Sequence, residues 1–130
     1  MTDRNTSPTR RVQLLVVEDE PSVRRSLQLL LRGRGFDVRA YASGLDLLAD
    51  PTILSADGMV TDYRMPDVDG LMILARLREQ GWKGGAVLIT GFPSPDLAER
   101  AKQAGFEKVI EKPLVDAALF DAVERMLRAA

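Results

Sequence analysis

The chain has 130 residues, of which 45% are apolar and 28% are charged, so it suits one folded domain and is too apolar for disorder. Its 18 basic and 19 acidic residues leave a formal charge of −1, which argues against a protein that follows nucleic-acid phosphates. The absence of Cys and His excludes disulfides, thiolate chemistry, cysteine-based zinc sites and a Ser-His-Asp triad.

The N-terminal residues and the overall hydropathy indicate where in the cell the protein is located. Residues 1–11 are polar and lack an apolar segment, so we expect a flexible N-terminal tail rather than a signal peptide. No apolar stretch approaches the roughly 20 residues that cross a bilayer. We therefore expect a cytoplasmic protein without membrane contact, whose folded domain covers residues 12–130.

The first part of that domain alternates short apolar runs with helical patterns. Residues 13–17 (QLLVV) predict a strand, and the apolar spacing over 21–33 predicts an amphipathic helix. Residues 37–41 predict a second strand. Ser43 is then expected to cap a short helix that ends at Leu48.

The same alternation continues to the end of the chain. We expect strands at 58–61, 86–90 and 108–111, and helices at 71–80, 95–104 and 115–128. Strict alternation predicts an α/β fold whose parallel sheet is covered on both faces. Right-handed crossovers then bring the carboxyl ends of all strands to one edge. We number the strands β1–β5 and the helices α1–α5 in chain order.

Polar residues follow the strands at that edge, where ligands bind in open α/β sheets. Glu18-Asp19-Glu20 follows β1, Asp62 follows β3, Thr90 ends β4 and Lys112 follows β5. Without Cys or His, chemistry must rest on such groups or on a hard cation. Carboxylates bind Mg²⁺, while hydroxyl and ammonium groups hold phosphoryl oxygens. A carboxylate can also be the nucleophile that forms an acyl phosphate.

Each of these features alone has a simpler interpretation. An acidic triplet is usually a solvated loop, and a single Lys is usually a surface residue. Asp67 and Asp69 fit a turn and a helix N-cap better than a calcium loop. The helix α1 carries a basic face that we expect to be solvated, formed by Arg24, Arg25, Arg32 and Arg34.

Taken together, four segments resemble the receiver domains of bacterial two-component response regulators, and most closely those of the FixJ type. They are VVEDE (16–20), VTDYRMPDVDG (60–70), VLITG (87–91) and IEKP (110–113). The resemblance covers nearly the whole chain. It implies the doubly wound, flavodoxin-like (βα)5 fold of chemotaxis regulators, a five-stranded parallel sheet with strand order 2-1-3-4-5.

The resemblance also assigns residues. It implies that Asp62 is the phosphoacceptor, and that Thr90 and Lys112 contact the phosphoryl group. It implies a bound Mg²⁺ or Mn²⁺, held by Glu18, Asp19, Asp62 and the backbone carbonyl of Arg64. The Lys112–Pro113 bond is usually cis in such domains, which would aim the Lys side chain inward.

One position departs from the family pattern. The aromatic residue that commonly lies three positions before the conserved Lys is Val109 here. An aromatic swing at that position is impossible. We hypothesise that Phe92, two residues after Thr90, takes over part of the gating. The expected switch residues are therefore Thr90, Phe92, Val109 and Pro113.

The resemblance implies partners as well. A sensor histidine kinase or a histidine phosphotransfer protein would donate the phosphoryl group and supply the missing histidine. Output would pass through the α4–β5–α5 face to an unidentified protein, without direct contact to nucleic acid. The protein would be a monomer or a phosphorylation-dependent dimer. It would catalyse only its own phosphorylation and dephosphorylation, and so is not expected to be an enzyme.

Two alternatives stay open. The chain could be the receiver part of a longer DNA-binding transcription regulator. It could also be a Mg²⁺-dependent phosphatase with an aspartyl nucleophile. Such phosphatases usually carry a second Asp two residues after the nucleophile, where this chain has Arg64, which argues against the second alternative.

Overall fold

A computed structural model describes residues 10–129. Its elements are β1 (Gln13–Val17), α1 (Pro21–Gly33), β2 (Asp37–Tyr41), α2 (Gly44–Leu48), β3 (Gly58–Asp62), α3 (Gly70–Glu79), β4 (Gly85–Thr90), α4 (Pro95–Ala104), β5 (Lys108–Glu111) and α5 (Asp116–Ala129). Every predicted element is present, with ends that differ by at most one residue. A 3₁₀ turn at Ile53–Ser55 was not predicted.

The strands form one parallel sheet in the order β2-β1-β3-β4-β5, which confirms the predicted fold class and strand order. Val16 of β1 lies opposite Ala40 of β2 on one side and Val60 of β3 on the other. Asp62 is the last residue of β3 and Thr90 the last of β4. The residues that end or follow the strands therefore share one edge of the sheet.

Two apolar layers cover the sheet because successive strand residues point to opposite faces. Leu14 and Val16 belong to a cluster that includes Leu27 of α1 and Leu119 of α5. The neighbouring residues of β1 belong to the other cluster, with residues of α2, α3 and α4. The sheet is thus buried on both faces, as expected for a parallel sheet.

Side chains at the helix starts fix two of the loops. The Ser43 hydroxyl accepts a hydrogen bond from the amide of Asp46 at 3.1 Å, as predicted. Asp69 caps α3 in the same way. Asp67 instead accepts a hydrogen bond from the amide of Leu45 at 3.0 Å, so the loop after β3 is attached to the start of α2.

The predicted N-terminal tail lies mostly outside the described residues, since 1–9 are not part of them, and it stays a prediction. The described part begins at Arg10, whose guanidinium is 3.2 Å from the carboxylate of Asp57. No helix within residues 10–129 has the length and apolar character needed to cross a membrane.

Candidate functional site

Buried polar groups concentrate at the carboxyl edge of the sheet. Within residues 10–129 the buried polar or charged residues are Glu18, Thr61, Asp62 and Thr90. All four lie at the ends of β1, β3 and β4. Burying such groups is costly unless they are paired, and ionisable groups gathered in this way are typical of functional sites.

Lys112 joins the two buried carboxylates. Its Nζ lies 2.9 Å from Oε1 of Glu18 and 3.3 Å from Oδ2 of Asp62. The Lys112–Pro113 peptide is cis, as the resemblance implies. The structure therefore brings together residues that follow β1, end β3 and follow β5.

The two oxygens of Glu18 have different surroundings. Oε2 accepts a hydrogen bond from the amide of Glu20 at 3.1 Å. Oε1 forms the ion pair with Lys112, but no directed hydrogen bond reaches it from the described residues. Burial raises the pKa of Glu18 to about 7, although the Lys112 ammonium 2.9 Å away opposes this rise. A further positive charge would therefore stabilise the carboxylate.

The other two members of the ion-pair network are shifted as well. Burial raises the pKa of Asp62, while the charge of Lys112 opposes that rise. For Lys112, burial disfavours the ammonium, but Glu18 and Asp62 together outweigh burial and raise the pKa. Lys112 is therefore positively charged at neutral pH, between two buried carboxylates.

Asp19 completes a set of oxygen ligands. One carboxylate oxygen from each of Glu18, Asp19 and Asp62 lies within 4.8 Å of the others. Oxygen-only sets suit Mg²⁺ and Mn²⁺. Oε1 of Glu18 is buried and accepts no hydrogen bond from the described residues, so this cluster can hold a divalent metal. An open groove of about 470 Å³ borders it, lined in part by Asp19 and Arg64.

Phe92 links the loops that follow β3 and β4. Its amide donates a hydrogen bond to Oγ1 of Thr90 at 3.1 Å, and Thr90 itself is buried. Phe92 is 75% exposed, and the centroid of its ring lies 5.8 Å from the guanidinium carbon of Arg64. A cation–π contact at such an exposed site contributes about 0.5–1 kcal/mol. The structure thus brings Phe92 next to both Thr90 and Arg64.

The remaining predicted switch residues lie on or after β5. Val109 is half-buried and packs against the apolar cluster under α2, α3 and α4. A groove of about 320 Å³ between α4 and β5 is lined in part by Ala98, Phe106 and Val109. Pro113 is exposed. Their roles in switching stay predictions.

We predicted that the basic face of α1 is solvated, and this prediction is wrong for Arg24, which is half-buried. Its guanidinium donates a hydrogen bond to the backbone carbonyl of Glu18 at 2.9 Å. Arg32 and Arg34 are exposed, yet they contact the β2 backbone and an aromatic ring of α5. Helical spacing shows which side chains share a face of the helix. It does not show which backbone carbonyl groups of the preceding loop those side chains can reach. Sequence reasoning therefore missed Arg24.

Comparison with known proteins gives a consistent result. A family model described as "Response regulator receiver domain" matches residues 14–124. The transcriptional regulatory protein FixJ of Rhizobium meliloti is 36% identical over 110 residues, which is 85% of this chain and 54% of that protein. The transcriptional regulatory protein TdiR of Thauera aromatica is 35% identical over 115 residues, 88% of this chain and 50% of that protein. The chain spans about half the length of the curated relatives it matches.

Solved structures agree on the fold. The crystal structure of FixJ-N is 32% identical, with a TM-score of 0.81, and covers 94% of this chain and 98% of that one. The chemotaxis protein CheY4 of Vibrio cholerae is 24% identical, with a TM-score of 0.84, over 91% of this chain and 100% of that one. At that identity the second similarity concerns the fold alone.

Proposed function

The chain belongs to the family of response regulator receiver domains, and from this premise we propose that it accepts a phosphoryl group on Asp62 in a reaction that needs a divalent cation. One observation carries the proposal: the Lys112 ammonium lies 3.3 Å from Asp62 and 2.9 Å from Glu18, two of the three carboxylates whose oxygens lie within 4.8 Å of one another. Nucleophile, positive charge and metal-ligand oxygens thus share one site. Receiver domains are signalling domains rather than classical enzymes.

In the proposed step, a carboxylate oxygen of Asp62 attacks the phosphorus of a phosphohistidine on the donor. The phosphorus–nitrogen bond breaks, and its electron pair stays on the histidine nitrogen. The product is an aspartyl phosphate, which water later hydrolyses to the carboxylate and inorganic phosphate. Receiver domains interact with histidine kinases or phosphotransfer proteins, and we propose such a protein as the donor here.

Lys112 balances charge during this step. Transfer of a phosphoryl group depends mainly on positioning and on stabilising the charge of its oxygens. The ammonium already lies beside Asp62 and needs only to exchange its contact with Glu18 for a phosphoryl oxygen. Lys112 therefore stabilises both the free carboxylate and its phosphorylated form.

Glu18, Asp19, Asp62 and the backbone carbonyl of Arg64 would hold Mg²⁺ or Mn²⁺. When bound, the cation neutralises the negative charge of the phosphoryl oxygens. The buried Oε1 of Glu18 supports this assignment, because it lacks a directed hydrogen bond among the described residues. Asp19 is exposed, so the cation can enter from solvent.

We also propose how phosphorylation reaches the surface. The Thr90 hydroxyl accepts a hydrogen bond from the amide of Phe92, and it can turn to donate to a phosphoryl oxygen. That movement would break the hydrogen bond from the Phe92 amide and shift the loop before α4. Phe92 would thus take over part of the switching role that an aromatic residue has in the family and that Val109 cannot provide. Output then passes through the α4–β5–α5 face, in which Pro113 forms part of the connection between β5 and α5. We propose that the protein acts in the cytoplasm, as a monomer or as a phosphorylation-dependent dimer.

A second candidate concerns the whole protein. FixJ and TdiR are described as transcriptional regulatory proteins, and this chain covers 54% and 50% of their lengths. This favours a role as the receiver part of a longer DNA-binding regulator. The coding sequence beyond the codon for Ala130 tests it, since a DNA-binding domain would follow in the same reading frame.

Mass spectrometry of the intact protein tests phosphorylation. With Mg²⁺ and acetyl phosphate, the mass should increase by one phosphoryl group, and Asp62→Asn should abolish the increase. Asp37→Asn is the matched control, because Asp37 is exposed at the start of β2, away from the edge that carries Asp62. This substitution should leave the mass increase unchanged. Persistent phosphorylation of the Asp62→Asn variant would show that the assignment is wrong.

A further inference from the structure

We propose that Arg24 is a positioning residue for the metal site, because it holds the backbone of Glu18 and Asp19 so that their carboxylates face one cation. This inference rests on the proposed function and adds a residue to it. Arg24 touches neither the phosphoacceptor nor the ligand oxygens. It acts through the loop between β1 and α1.

The contact is specific in geometry. Nη1 of Arg24 donates a hydrogen bond to the carbonyl of Glu18 at 2.9 Å and lies 3.5 Å from the carbonyl of Asp19. Arg24 is the fourth residue of α1, and helical side chains lean toward the helix N-terminus. The guanidinium therefore reaches back beyond the start of the helix, over the loop that carries the acidic pair.

Apart from Arg24, this loop is held by the Glu18 side chain, which accepts from the amide of Glu20 and pairs with Lys112, and by strand pairing. The amide of Glu18 still bonds to the carbonyl of Tyr41 at 3.1 Å, which continues the strand pairing. Glu20 precedes α1 without capping it through its side chain, and the first turn of α1 contains no acidic residue. Three successive carboxylates also repel one another. A charge-assisted hydrogen bond from a guanidinium is therefore an important restraint on this backbone.

Helix stability does not explain this arrangement. A cation near a helix N-terminus is unfavourable by about 0.3–1 kcal/mol because the helix dipole is positive there. Arg25, the next residue, is exposed. The guanidinium of Arg24 is instead folded back onto two carbonyls of the acidic loop, which indicates that it serves the loop rather than the helix.

The sign of its effect separates two roles. As a nearby positive charge alone, Arg24 would repel a divalent cation, and its removal would tighten binding. As a positioning residue it would promote binding, because contacts that orient ligands commonly change metal affinity by about 10–100-fold. Since Arg24 holds the backbone and not a ligand oxygen, we expect the lower end, about 10-fold.

The test compares Arg24→Ala with Arg25→Ala in the metal-free chain. Isothermal titration with Mg²⁺ should give an approximately 10-fold weaker Kd for Arg24→Ala and an unchanged Kd for Arg25→Ala. Amide hydrogen exchange at Glu20 gives a second readout, because that amide bonds to Oε2 of Glu18 at 3.1 Å. Exchange there should be faster in Arg24→Ala only.

The outcomes separate this inference from the proposed function. If the unaltered chain binds Mg²⁺ and Arg24→Ala binds it equally well or more tightly, the positioning role is overturned and the metal site stands. If the unaltered chain binds no Mg²⁺, both are overturned. Should Arg24→Ala fail to fold, Arg24→Met, which keeps the aliphatic stem, replaces it in the same comparison.

Discussion

The ammonium of Lys112 lies closer to Glu18 than to Asp62, at 2.9 Å against 3.3 Å. Glu18 is completely buried, so Lys112 supplies most of the positive charge that keeps this carboxylate in the protein interior. The same Lys is the group expected to meet the phosphoryl oxygens. In the proposed reaction, structural support and phosphoryl transfer would therefore depend on one side chain.

Replacing Lys112 by Ala should lower the free energy of unfolding by about 2 kcal/mol, because a buried carboxylate would lose its partner. Urea unfolding at slightly alkaline pH, where Glu18 is ionised, measures the loss. Lys108→Ala is the control, since Lys108 is exposed on β5, the strand that Lys112 follows, and its removal should change stability little. Equal stability of the two variants would contradict the pairing seen in the structure.

Gly70 packs closely against the backbone of Asp62, the proposed phosphoacceptor. A Cβ at this position would lie 2.6 Å from the carbonyl oxygen of Asp62 and 2.7 Å from Leu88. Gly70→Ala should therefore destabilise the fold by about 1–3 kcal/mol and slow phosphorylation by acetyl phosphate. Gly33→Ala is the control variant, because no atom lies within 4 Å of a Cβ built at Gly33. It should leave the stability unchanged or raise it by about 0.5 kcal/mol. A greater loss of stability in Gly33→Ala than in Gly70→Ala would refute the steric argument.

The free energy of unfolding should also decrease with rising pH in the alkaline range, because of Tyr41. Its hydroxyl donates a hydrogen bond to Asp50 at 2.5 Å. Burial, together with this bond and the charge of Asp50, raises the pKa of Tyr41 to about 12, whereas an unfolded tyrosine ionises near pH 10, roughly. The folded state thus holds the proton more tightly. The stabilisation is complete below the unfolded pKa and is lost as pH rises through the folded pKa.

Phenolate absorbance as a function of pH measures this shift. One tyrosine should ionise near pH 12 in the unaltered protein, and Tyr41→Phe should remove that transition. Tyr63→Phe replaces the other tyrosine and should retain it. A late transition that survives in Tyr41→Phe would exclude the proposed cause.

Phe92 is expected to carry part of the signal from Thr90 to α4. Replacing it by Ala should reduce the chemical-shift changes that phosphorylation produces in α4, because the side-chain contact with Arg64 would be lost while Thr90 is retained. Leu29→Ala is a suitable control, since Leu29 is a similarly exposed apolar residue on α1. Unchanged shifts in α4 of the Phe92→Ala variant would reject this role.

The amino-acid sequence was enough to predict the fold and to place the candidate site residues together. Apolar periodicity distinguishes strands from helices, and the parallel sheet that this alternation requires brings the ends of all strands to one edge. Glu18, Asp62, Thr90 and Lys112 could therefore be predicted as neighbours. Their types, three oxygen-bearing side chains and one ammonium, already indicated a metal and a phosphoryl group.

The pairing of these groups could be seen only in the folded protein. No pattern in the sequence shows that Lys112 lies nearer to Glu18 than to Asp62, or that the pKa of Glu18 rises to about 7, because distance and burial arise only when separate elements pack. The same holds for Arg24, whose partner is a backbone carbonyl and not a side chain. Periodicity reports the face of a single helix, whereas such contacts depend on how helix, loop and sheet meet.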